Sequence, residues 1–233
     1  MSREYTPGIH PGIHPKRALA NGVPGRFVSA DELYGAKPWW RRAVDALGLW
    51  YVVDVPRNTY GWRRQPEWAV PSWSGRGRPA TRAVSASKAQ NVEALALAPS
   101  GLRFCPWKSF RVHDTQKGPE VWEFKVGRFR ERSQAAPEKV QCLLIARHVR
   151  TGEVKYFLTN APADIPLETL IRVAFSRWRI ERCFQDCKGQ LGLNHAELRI
   201  YRGLRRHLIL TAVNYFFLQD WLLTHGGEKN RRI

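Results

Sequence analysis

Residues 26–56, RFVSADELYGAKPWWRRAVDALGLWYVVDVP, decide the fold class. RFVSA (26–30) reads as a short strand that ends on Asp31. Beyond it Trp40, Val44 and Leu47 recur at helical spacing, and Gly48 stops the helix. LWYVVDV (49–55) is nearly continuous in apolar and β-branched residues up to Pro56, the pattern of a strand covered on both faces. A strand, a helix and a strand in one run form the crossover unit that lays two parallel strands side by side. The expectation is an α/β sheet.

Residues 57–159 differ in character. Strand patterns recur at 121–129 (VWEFKVGRF), 140–148 (VQCLLIARH) and 153–159 (EVKYFLT), the last two joined by a plain hairpin turn, Arg150-Thr151-Gly152. This stretch reads as a largely β insertion between two parts of one α/β domain, 26–56 and 160–224. Within it, residues 57–82 hold six Arg interleaved with Tyr60, Trp62, Trp68 and Trp73, and include SGRGRP at 74–79. Guanidinium groups alternating with stackable rings suit single-stranded or distorted DNA, which makes Arg57, Arg63, Arg64, Arg76, Arg78, Trp62 and Trp73 candidate contacts. An aromatic mini-core beneath a loop accounts for the same pattern equally well.

From Asp164 the period becomes helical. Asp164 can cap, Pro166 sits where its missing N–H costs nothing, and Glu168 suits the helix dipole, so a helix is expected over 166–189. A second, heavily apolar one over 203–223 is expected to pack into the core. Residues 1–25, rich in Pro and Gly and carrying a tandem PGIH, read as a flexible lead-in, and 225–233 as a basic tail. The repeated His residues are weak candidates for a metal.

Lys and Arg number 38 against 20 Asp and Glu, a net charge of +18. A field of that sign gathers polyanions and releases counterions from nucleic acid, so a DNA or RNA partner is expected. Four unevenly spaced cysteines argue against a disulfide framework and for a reducing compartment. Cys183 and Cys187, one helical turn apart, are read as packing residues. No secretory signal opens the chain, and its most apolar run, 208–223, is too short and polar to span a bilayer. A cytoplasmic protein with no membrane partner is the expectation.

In SRWRIERCFQDCKGQLGL (176–193), Arg177, Glu181 and Lys188 fall on nearly one face of a helix. A carboxylate flanked by two cations suits a metal beside a phosphate backbone. An ordinary i,i+4 ion pair explains Arg177 and Glu181 alone.

The spacing R-x3-E-x6-K resembles the end of the Y-x2-R-x3-E-x6-K signature of bacterial insertion-sequence transposases of the DDE type. The whole run 178–218 resembles that family's catalytic-Glu helix and the helix after it. FVSADELYG (27–35) and LWYVVDVP (49–56) resemble its second-Asp strand and the strand that follows, and SGRGRP a stretch within its insertion.

The resemblance implies an incomplete ribonuclease H-like core, with Asp31 as the second metal-binding acid and Glu181 as the third. Arg177 and Lys188 would contact DNA phosphates. The family's Tyr falls at Ala174, with Phe175 beside it. The family's first Asp lies on a strand upstream of the Asp31 strand. Residues 1–25 contain no Asp, so the expectation is a chain that starts partway through the catalytic domain and cleaves DNA poorly by itself. Asp54, Asp45, Asp186, His195 and His207 are weaker candidates for the metal.

In the intact family two Mg or Mn ions, about 3.5–4 Å apart, serve cut-and-paste cleavage and strand transfer. The implied partners are double-stranded transposon ends and target DNA, with a homodimer holding two ends in the bacterial nucleoid. The alternative is a transposase remnant that binds DNA without catalysis.

Overall fold

The computed structural model describes residues 13–115, 118–132, 140–197 and 200–225. The first PGIH copy and the basic tail beyond His225 lie outside them, as do Pro11 and Gly12 of the second copy and the side chain of His14. In chain order the elements begin with α1 (Ile13–Ala20), β1 (Phe27–Ala30), α2 (Glu32–Gly35), α3 (Pro38–Ala46), β2 (Trp50–Asp54), β3 (Tyr60–Trp62) and β4 (Trp68–Ala69). They continue with β5 (Val84–Ser85), β6 (Gln90–Asn91), α4 (Val92–Leu97), β7 (Lys108–Thr115), β8 (Gly118–Glu131), β9 (Gln141–His148) and β10 (Val154–Thr159). The last three are α5 (Leu167–Phe175), α6 (Trp178–Gln190) and α7 (Tyr201–His225). The helix α1 stands where a flexible lead-in was expected.

The expected crossover is present. β1 and β2 pair in parallel, from Phe27 opposite Trp50 to Ala30 opposite Val53. The helix between them starts on Pro38, whose fixed φ suits a first turn, and ends before Gly48 at φ +71°. The sheet runs β1-β2-β10-β9-β8-β3-β6, with β7 on β8, and every pair other than β1 with β2 is antiparallel. It is a mixed α/β sheet.

Its strands alternate between two cores. Tyr51, Val53, Leu143, Ile145 and Leu158 face Trp40 and Val44 of α3 and Val92 and Leu95 of α4. Val52, Leu144, Phe157, Trp122 and Phe124 face Leu170, Ile171 and Ala174 of α5. Cover on both faces is why 49–55 reads as an unbroken apolar run.

Two expectations change. β8, β9 and β10 fall within the expected insertion, yet they join the same sheet as β2, because Leu158 pairs with Val53 and Phe157 with Asp54. The helix expected over 166–189 is two helices. α5 ends at Phe175, whose ring lies 5.0 Å from Trp122, 5.7 Å from Phe157 and 5.9 Å from Phe124. A new turn opens with Arg179 N–H donating to Ser176 and Ile180 N–H to Arg177.

The described residues divide into two compact units after Phe175. In the second, α6 and α7 lie beside each other. Of the α7 residues only Thr211 is buried, while Phe216, Phe217, Trp221 and Leu223 are exposed.

Candidate metal and DNA-binding residues

Asp31 follows the last residue of β1, at the carboxyl end of the parallel pair. It occupies the N-cap position of α2 in extended geometry, φ −77° and ψ −179°, without a side-chain capping bond. Its carbonyl accepts from Gly35 N–H at 2.8 Å. Its Oδ1 is buried, with no hydrogen-bond partner among the described residues. A buried carboxylate oxygen without a donor is costly, and a bound cation satisfies it. This oxygen fits a metal ligand by the chemistry of its surroundings.

Gly35 packs its Cα against the Asp54 carbonyl so closely that a Cβ there would clash with backbone. That contact and the β1–β2 register set Asp31 and Asp54 at neighbouring strand ends. Asp54 lines a cavity of about 960 Å³ together with Glu32, Arg57, Glu93, Glu153 and Lys155. Arg57, expected to contact DNA, therefore sits among carboxylates. Among the described residues no group of three or more His, Cys, Asp and Glu side chains is arranged to hold a metal.

In the second unit, Arg177 Nη2 lies 2.9 Å from Glu181 Oε1, and both side chains are substantially exposed. Such a pair is worth little in stability, so it leaves the carboxylate available. Lys188, in the last turn of α6, is also exposed. Asp186 is engaged by Arg182 at 3.0 Å. His207 Nε2 lies 3.2 Å from the Gly192 carbonyl, the arrangement of a packing histidine. Ala174 is buried in the core on the α5 face. Its neighbour Phe175 is packed on three rings of that core, so neither presents a side chain to DNA.

The Arg-and-Trp segment separates into two kinds of residue. Trp62 is 6% exposed, donates its Nε1–H to the Ser87 carbonyl at 2.9 Å and meets Trp68 edge-on. Arg63 donates to the Gly101 carbonyl and lies 3.8 Å from Cys105 Sγ. Trp62, expected as a DNA contact, anchors the segment instead, since a buried indole has no face left for a base, while Arg63 is half-buried. Arg64, Trp73, Arg76 and Arg78 are exposed.

Sequence reasoning missed Arg41. It is 2% exposed, donates to the Gly35 carbonyl and pairs with Glu131 of β8. It thereby braces the turn that follows Asp31. Its neighbour Tyr51 has its phenol pushed well above the usual range, first by burial, with Arg41 acting in the opposite direction. An Arg among WWRR carries no sign of burial, because the apolar stripe of α3 is already accounted for by Trp40 and Val44.

A family model described as a transposase DDE domain matches residues 10–217. No curated protein matches the chain. No helix among the described residues is long and apolar enough to cross a membrane.

Proposed function

The chain belongs to the transposase DDE domain family, and on that premise we propose that it is a metal-dependent DNA transposase acting at insertion-sequence ends by cut-and-paste. In this reading β1 and β2 belong to a ribonuclease H-like core. Asp31 and Glu181 would share a divalent ion, Mg or Mn. The observation that carries the reading is the buried, donorless Oδ1 of Asp31 at the carboxyl end of a parallel strand.

The divalent ion, when bound, supplies Lewis acidity at a phosphoryl oxygen. The protein's own groups do the rest. Asp31 and Glu181 are hard oxygen donors suited to hold it. Arg177 offers a planar fork to a phosphate while its salt bridge orients Glu181. Lys188, about two turns further along α6, adds a point charge for the same backbone. Double-stranded DNA is the substrate, and a homodimer would hold two ends together.

A second reading, DNA binding without cleavage, is favoured by the exposed Arg64, Arg76 and Arg78, which need no metal to grip phosphate. Incubation with supercoiled plasmid and Mg or Mn separates the two. The transposase reading predicts slow, metal-dependent nicking that is lost in Asp31→Asn and Glu181→Gln, with DNA affinity retained. Cleavage undiminished in both variants overturns these assignments, and binding with no nicking by the unaltered chain supports the second reading.

A further inference from the structure

Residues 70–83 form a loop between β4 and β5, and every one of them is exposed. Its base is fixed. Trp68 pairs with Ser85 and Ala69 with Val84, Trp68 meets the buried Trp62, and Trp62 is tied to Ser87. The loop is closed upon itself by Trp73 Nε1–H donating to the Gly77 carbonyl at 3.0 Å. Near its tip Gly75 and Gly77 have φ of +83° and +73°, a region glycine enters at little cost. A Cβ at either glycine would meet nothing in the protein. The tip is thus bare backbone carrying two guanidinium groups, Arg76 and Arg78. Among the described residues no hydrogen bond or ion pair engages either of them. No acid occurs between Glu67 and Glu93, while Arg76, Arg78, Arg82 and Lys88 all fall there.

We propose that the Arg76-Gly77-Arg78 tip reads the minor groove of A·T-rich duplex DNA. The inference rests on the DNA-acting reading above and adds which groove and which base composition are recognised. The minor groove is about 6 Å wide, too narrow for a helix of about 10–12 Å, whereas backbone without a Cβ at two positions can reach its floor. Guanidinium groups only donate hydrogen bonds. A·T pairs present only acceptors there, adenine N3 and thymine O2, while the guanine amino group adds a donor that turns an Arg away. A·T-rich tracts also narrow the groove and deepen its negative potential. Two Arg on a bare tip match that combination better than a row of phosphates, which would be served as well by Lys.

The test measures affinity of the full chain for two duplexes of equal length and salt, one with an A·T core and one with a G·C core, and for a single strand. The expected result is about tenfold tighter binding to the A·T duplex, displaced by netropsin. Arg76→Ala and Arg78→Ala should erase that preference, the A·T duplex binding no tighter than the G·C duplex. The double Arg76→Lys, Arg78→Lys variant keeps the charge and should also lose it. Equal binding to both duplexes, tighter binding to the single strand, or a preference unchanged in the Lys variant would each overturn the proposal. Equal binding of the unaltered chain to both duplexes overturns this proposal and leaves the transposase reading standing, so the two ideas can fail separately.

Discussion

Arg41 shows how much one side chain can hold at the residue scale. Its guanidinium lies between the Gly35 carbonyl and the Glu131 carboxylate, itself only 16% exposed, and its Nε is buried without a partner among the described residues. Removing a buried cation leaves its partner's charge uncompensated in a poorly solvated place. Arg41→Ala is therefore expected to lower unfolding free energy by about 3–5 kcal/mol, read from the urea midpoint. A loss below about 1 kcal/mol would show the pair to be incidental. Because Gly35 follows Asp31 by one turn, the same variant should also loosen the segment that positions that carboxylate. Asp31 itself was legible from its place after a strand and from the family resemblance. Its orphaned Oδ1 was not, because the lack of a donor depends on what the folded chain brings near.

At the scale of elements, legibility followed local pattern. The parallel pair β1–β2, the helix between them and the hairpin β9–β10 all announce themselves through alternation, apolar runs and turn glycines. Two features did not. The break between α5 and α6 has neither Pro nor Gly to mark it, and arises because Phe175 is held by Trp122, Phe124 and Phe157 from distant strands. The pairing of β10 with β2 spans about a hundred residues, and no local signal encodes which edge a strand will find. Loss of the Phe175 ring leaves a gap among three aromatic rings, so Phe175→Ala is expected to cost about 3 kcal/mol in denaturant titration. An unchanged midpoint would mean that another interaction ends α5. The Arg-and-Trp segment was half legible, since sequence alone offered either a mini-core or a DNA surface. The structure divides it, with Trp62 and Arg63 turned inward and Arg64, Trp73, Arg76 and Arg78 outward.

At the scale of the whole molecule, a net charge of +18 is carried on a mixed sheet with helices on both faces and a separate helical unit that bears Glu181. Positive charge of that size suits a polyanionic partner, and the function proposed above adds that Asp31 and Glu181 serve one ion. Iron-directed cleavage of the protein tests this directly. The chain is loaded with Fe(II) in place of Mg, treated with ascorbate and peroxide, and its fragments are sized. The account predicts cuts near residue 31 and near residue 181, both suppressed by excess Mg and both lost in Asp31→Asn. Cutting near residue 181 that persists undiminished in Asp31→Asn would contradict it.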